Sequence, residues 1–333
     1  MPVGADGRGS PGSPGSPGSA AVPSTPAQVR AGRKPRQAGS GPSPAAAASR
    51  SPTDDTAMLE ALAQSLAIAG AVALTFSRLL TGPYTYLQYD DEKNYEDVAQ
   101  LYTLSEANVR WVFEDGVVLG VWEPVALLFK AAWHVGTGGG GPAVCYAVSL
   151  ALHALNALGA YVLLSRGAGG AEGSALWQQC AALSALCFAV HPLRCEVLCW
   201  ASCQPYLLSG LLVLAAVGLR GGVPWPSAGD APPGALRLLA SASILLLAML
   251  SKAAAVPVAA VLFCADFVAI AESTEAHKQG GAPALLSVWA ALRRNAAAIV
   301  AAVLGAVAAT SANPANQTGH AELDGVQLVL RAF

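Results

Sequence analysis

An all-α, multi-pass membrane protein is the fold class this sequence predicts, on three observations. Of its 333 residues 54% are hydrophobic and 12% charged, with a mean hydropathy of +0.46, far from the balance of an ordinary soluble domain. The apolar residues fall in successive runs, each near the 20 or so helical residues that roughly 30 Å of membrane hydrocarbon demands. Lys and Arg concentrate in alternate loops, as they do when loops lie on alternate sides of a bilayer. A formal net charge of -2 and the lack of interleaved basic and aromatic residues set nucleic acid aside as a partner.

Residues 1–56 read as a separate, disordered tail, because Ser-Pro-Gly recurs three times over residues 10–18 and no apolar period is present to bury a core. Arg8, Arg30, Arg33, Lys34, Arg36 and Arg50 face a single acid, Asp6, before Asp54, which predicts that this end stays in the cytoplasm. The same Arg-rich, Ser-rich, acid-poor leader also fits an organellar transit peptide.

Residues 57–333 form the membrane domain, with about seven spans expected near 60–80, 142–164, 175–191, 199–219, 236–251, 253–271 and 295–311. The run from Ala235 to Ile270 is too long for one span, so two short helices are expected to meet at Lys252, with Pro257 just beyond. In this topology Arg166, Arg220, Arg237, Lys278, Arg293 and Arg294 share the cytoplasmic side with the basic tail. Arg78, Lys93, Arg110, Lys130, Arg194, Lys252 and Arg331 fall on the other side. Asn316-Gln317-Thr318, a glycosylation acceptor triplet, falls there too.

Between the first two spans lies a loop, residues 81–141, long enough to require structure of its own. Thr103 with Glu106 fits a capping box, and the apolar residues from Ala107 to Phe113 among charged neighbours predict a short amphipathic helix on the membrane surface. Trp122 to His134 is apolar but too short to cross, which predicts an interfacial or re-entrant helix. Trp111, Trp122 and Trp133 are expected at headgroup level.

This loop opens on the densest charge in the chain, Gln88 to Asp97. The adjacent carboxylates Asp90 and Asp91, held beside a membrane, are of the type that takes a proton from an acceptor hydroxyl; a merely solvated acidic loop has the same local sequence. Lys252 at membrane depth either faces a cavity, where it can receive a phosphate, or snorkels from a helix end. His191-Pro192-Leu193-Arg194-Cys195-Glu196 forms a charged turn on the same side as the acidic loop. His153 and Asn156, three apart on one span, are suited to bonding neighbouring helices. Cys195, Cys199 and Cys203 share a spacing of four, which suits packing better than a metal site, and no metal is expected.

Asp90-Asp91, then Leu152 to Leu158 around His153 and Asn156, then Phe188-Ala189-Val190-His191-Pro192-Leu193 with Glu196 and Trp200, then Leu207-Leu208-Ser209-Gly210, then Leu250-Ser251-Lys252 with Asp266, resemble in order and spacing the transmembrane and tetratricopeptide-repeat protein family. The resemblance covers residues 85–333. It implies a bundle of the GT-C glycosyltransferase type, seated in the endoplasmic reticulum membrane, with residues 81–141 as the luminal catalytic loop. It further implies transfer of mannose from dolichyl phosphate mannose, a substrate and not a cofactor, to Ser or Thr hydroxyls of luminal acceptor proteins.

Carried over by position, Asp90 and Asp91 become the catalytic pair, and Lys252, Arg194 and His191 the groups for the donor phosphate. Glu196, His153 and Asn156 become their supports, and Asn316 the glycosylation position. The pattern departs where relatives carry an Arg or Lys and an Asp and this chain reads Cys203-Gln204-Pro205-Tyr206, and Arg194 stands where many have His. The family's further spans and repeats do not occur before Phe333, so the chain is expected to correspond to the membrane half alone. An inactive membrane scaffold and, less well supported for lack of internal repeats, a transporter are the alternatives.

Overall fold

The computed structural model describes residues 52–82, 84–87, 90–166, 175–221, 234–276 and 284–311. The tail up to Ser51 and Asn316 lie outside the described residues. The order is α1 (Pro52–Thr75), α2 (Arg78–Thr81), α3 (Glu106–Glu114), a hairpin of β1 (Val117–Val118) and β2 (Val121–Trp122), α4 (Pro124–Gly136), α5 (Pro142–Ser165), α6 (Ala175–Ala189), α7 (Arg194–Cys199), α8 (Gln204–Arg220), α9 (Ala235–Ser251), α10 (Val258–Ala276) and α11 (Ala284–Ser311). Among these, five segments are long and apolar enough to cross a membrane: 55–75, 142–165, 201–220, 253–272 and 286–311. α6 and α9, expected as spans, are apolar but shorter, with 15 and 17 residues.

Three features differ from expectation. α1 begins at Pro52, inside the stretch read as tail, and ends at Thr75 instead of residue 80. Its exit is fixed by Tyr84, whose hydroxyl donates to the Arg78 carbonyl at 2.9 Å and accepts from the Gly82 amide at 2.9 Å. α11 begins at Ala284, so Arg293 and Arg294, expected in a loop, are helical. The small hairpin is the third difference from an all-α reading; its turn places Leu119 at φ 53° and Gly120 at φ 79°, a backbone that costs a branched residue about 1–2 kcal/mol.

Polar side chains and small residues set how the helices meet, because apolar burial alone does not choose a partner inside a membrane. α8 and α9 are tied by three hydroxyls. Ser209 donates to the Ala248 carbonyl at 2.9 Å, Ser241 to Ala216 at 2.7 Å and Ser251 to Pro205 at 3.2 Å. α11 closes on α9 at Gly305, where an added Cβ would lie 2.9 Å from the Met249 Cβ. Ala181, Ala185 and Ala189 present a stripe of small, buried residues on α6, while Ile68, Val72 and Phe76 of α1 complete the same core with α5.

At the far end of α8 from its start at Gln204, the Asp266 carboxylate of α10 takes a short hydrogen bond from Arg220 and one from Asn295 Nδ2 at 2.8 Å, with Arg294 Nε at 3.7 Å. Asp266, Asn295 and Arg220 are all buried. This cluster joins the end of α8 to the middle turns of α10 and α11. The break at Lys252 falls as expected: α9 ends at Ser251, one 3-10 turn spans Ala253–Ala255, and α10 starts after Pro257.

Candidate functional site

The segment after α2 folds onto the start of α8 through a short π-helical turn, Glu92–Glu96, and a 3-10 turn, Ala201–Cys203. Asp91 is the pin. Its Oδ1 accepts from the Ser202 amide at 2.8 Å and the Ser202 hydroxyl at 2.5 Å, its Oδ2 accepts from the Leu87 amide at 3.2 Å, and nothing of it is exposed. Asn94 adds a bond to Ser202 Oγ at 2.8 Å, and the Tyr95 hydroxyl donates to the Ala201 carbonyl at 2.9 Å. The ring of Tyr95 stacks on Tyr86 at 5.1 Å, and burial pushes both phenols well above their ordinary range.

α4 seats beside this joint. Trp133, expected at headgroup level, is instead buried and donates its indole N–H to Gln204 Oε1 at 3.0 Å. Gln204 in turn donates to Ser149 Oγ at 3.2 Å and the Cys145 carbonyl at 3.3 Å, so one amide joins α4, α5 and α8. A buried amide bonded on both sides gains what an orphaned one would lose. α3 is capped by Ser105, which accepts from the Asn108 amide at 3.2 Å; Thr103, read as the cap, accepts from the Asn108 side chain at 2.7 Å.

These joints leave a cavity of about 440 Å³ walled by Asp90, Asn94, Leu119, Val121, Glu123, Glu196, Val197, Trp200, Ser202, Cys203, Tyr206 and Lys252. Lys252 pairs with Glu123 Oε1 at 2.5 Å and stands 4.6 Å from the centre of the Tyr206 ring. Burial alone would lower the Lys252 pKa; the Glu123 carboxylate outweighs it and holds the ammonium above its ordinary value. Asp90, Glu123 and Glu196 give the walls three carboxylates against this one cation, an unequal count for a space that merely closes on itself.

The expected site residues therefore divide. Asp90, Glu196 and Lys252, distant in sequence, come together on one cavity. Asp91 is sealed behind it as a tether. His191 is exposed, its Nδ1 accepting from the Leu193 amide at 3.3 Å, and Arg194 lies over the Phe188 ring at 4.9 Å; neither lines the cavity. His153 donates from Nε2 to the Ala189 carbonyl at 2.8 Å, and Asn156 donates to the Leu152 and Leu207 carbonyls, both at 2.8 Å. They bond α5 to α6 and α8. The cysteine stripe does not continue, because α7 ends at Cys199 and Cys203 is buried in the next turn. Among the described residues no three His, Cys, Asp or Glu side chains converge as a metal-holding group.

Glu123 lines the cavity without having been among the expected site residues. The signal was available in the sequence: an ionisable residue at the head of the apolar run read as a surface anchor. Compared with known proteins, the chain matches no family model, no curated protein and no solved structure.

Proposed function

We propose that the chain is the membrane domain of a glycosyltransferase that moves a mannosyl group from a lipid-linked mannosyl phosphate to Ser or Thr hydroxyls of proteins, in a GT-C-like bundle of seven spans. The observation that carries this reading is that Asp90 and Lys252 line one polar cavity beside apolar helices. The acceptor oxygen attacks the anomeric carbon while its proton passes to Asp90. The bond from that carbon to the lipid phosphate oxygen breaks, and the phosphate leaves as an anion next to the Lys252 ammonium. In this reading Glu123 holds the ammonium until the donor arrives. The bond network around Asp91 supports its assignment as positioning residue and leaves Asp90 as the base. The cavity end of the bundle faces the lumen of the endoplasmic reticulum, with the amino terminus cytoplasmic.

The test is transfer of labelled mannose from polyprenyl phosphate mannose to a Ser/Thr peptide by the full chain in microsomes. Label reaches the peptide with the native chain, and Asp90→Asn reduces it about 10²–10⁴-fold at equal chain abundance. No transfer by the native chain, or equal transfer by both, overturns the reading. A non-catalytic scaffold is the second reading, favoured by one feature: Glu123 already neutralises the cavity's cation.

A further inference from the structure

Trp200 differs from two other indoles of the bundle. Trp133 donates its N–H to Gln204 Oε1 at 3.0 Å, and Trp177 donates to the Leu164 carbonyl at 2.9 Å. The Trp200 Nε1 is closed off from water and meets no acceptor. A buried donor without an acceptor is costly, and a native fold keeps few of them. Core packing does not account for this one, because Trp200 is only partly buried and lines the cavity.

The backbone places this side chain firmly. Trp200 closes α7, its amide donating to the Glu196 carbonyl at 3.1 Å. The next two residues are held by the acidic segment, Ala201 accepting from the Tyr95 hydroxyl and Ser202 donating to Asp91. One turn before Trp200 stands Glu196, which is exposed and lines the same cavity. Among the described residues no Lys or Arg reaches ion-pair distance of it. An unused donor and an uncompensated acceptor therefore sit one helical turn apart on one wall.

That combination narrows the class of ligand. An anion needs donors and a cation needs acceptors, whereas a polyol needs both, and a sugar ring also has an apolar face to lay on an aromatic side chain. In the sugar-transfer reading Asp90 takes the acceptor proton, and Lys252 with Glu123 meets the phosphate. Leu119 and Val121, also on the walls, have apolar side chains with no hydrogen bond to give. A pyranose joined to that phosphate is left with Glu196 and Trp200 for its hydroxyls.

We propose that Glu196 and Trp200 are the sugar-binding residues of the cavity: the carboxylate accepts from ring hydroxyls, and the indole N–H donates to a hydroxyl oxygen as the partly buried ring turns to meet it. The inference rests on the sugar-transfer reading and assigns the sugar to a wall of its own. It also gives a reason for the surplus of carboxylates, since Glu196 serves hydroxyls and needs no cation. Sugar and base are then positioned together, because the turn that follows Trp200 is the one that tethers Asp91 beside Asp90.

The experiment measures equilibrium binding of two labelled lipids to the full chain in detergent: polyprenyl phosphate mannose, and polyprenyl methyl phosphate, which carries the same single charge and no sugar. The native chain binds the mannosyl lipid at least about tenfold more tightly. Glu196→Ala lowers that affinity about 10–100-fold, the range for a hydrogen bond to a charged group, and Glu196→Gln, which keeps an acceptor, lowers it less. Trp200→Phe keeps a ring without the N–H and lowers it about 5–10-fold. All three variants bind the methyl lipid as the native chain does, which also shows that they fold. Equal native affinity for the two lipids, a mannosyl-lipid affinity unchanged in Glu196→Ala or Trp200→Phe, or equal weakening of both lipids overturns the proposal. If the native chain still transfers mannose, only this assignment falls; a native chain that binds neither lipid and transfers nothing brings down the sugar-transfer reading as well.

Discussion

The cluster around Asp266 and the cavity around Lys252 both bring ionised side chains inside the bundle, yet only one of them leaves room beside the charges. At Asp266 a single carboxylate gathers Arg220, Asn295 and Arg294, and the groups fill the space between three helices. At Lys252 one ammonium meets Glu123, while Asp90 and Glu196 stand around about 440 Å³ of open volume. The two lie roughly 24 Å apart along α8, counted from Gln204 to Arg220 at 1.5 Å per residue. The first arrangement is suited to holding helices and the second to receiving something. Charge at membrane depth is thus no sign of a site by itself; the sign is charge with unfilled space.

Substitutions sharpen this contrast. After Asp90→Asn, the largest effect is expected at Lys252→Gln, which lowers the proposed mannosyl transfer about 10²–10³-fold while the chain inserts and accumulates normally, measured as label per immunoblotted chain. A second contrast uses the same change at both places. Asp266→Ala removes the carboxylate shared by Arg220, Asn295 and Arg294 and costs about 3–5 kcal/mol, seen as a lower melting temperature in detergent. Asp90→Ala, at a partly exposed cavity wall, changes melting by less than about 0.5 kcal/mol. If the two aspartates melt alike, the division between holding and receiving is wrong.

Asp91→Ala is intermediate, at about 1.5–3 kcal/mol, because it orphans the Ser202 amide and hydroxyl; limited proteolysis should cut sooner between residues 84 and 97. The smallest effect is at Ser241→Ala, about 0.6 kcal/mol, one interhelical hydrogen bond in a well-packed pair. A loss several times larger would mean that α8 and α9 are held by their hydroxyls more than by their packing.

Much of the helical series was legible in the sequence, since apolar runs and their breaks are local properties. The bend at Lys252 was readable because a lysine and a proline interrupt a run too long for one span. The divergent fates of Asp90 and Asp91 were not readable. Neighbouring residues share composition and context, and only the turn at Glu92–Glu96 directs one carboxylate to the cavity and the other to Ser202. Trp133 was misread for a related reason: tryptophan suits both a headgroup layer and a buried site with a hydrogen-bond partner, and that partner, Gln204, lies far along the chain. In the sequence Gln204 shows only as a lost charge. Its amide instead joins three helices, whereas Cys203 and Tyr206 on either side of the Gln204-Pro205 pair reach the cavity.

Cross-linking tests most directly whether the acidic loop and the helix break share one chamber on one side of the membrane. In sealed microsomes, with Cys203 changed to Ser, the pair Asp90→Cys and Lys252→Cys is treated with a short bifunctional thiol reagent that cannot pass the bilayer, and the joined peptides are sought by mass spectrometry. The account predicts a 90–252 link when the reagent is given access to the lumen, and no such link when it is confined to the cytoplasmic side. Linking only from the cytoplasmic face, or none from either, would contradict it.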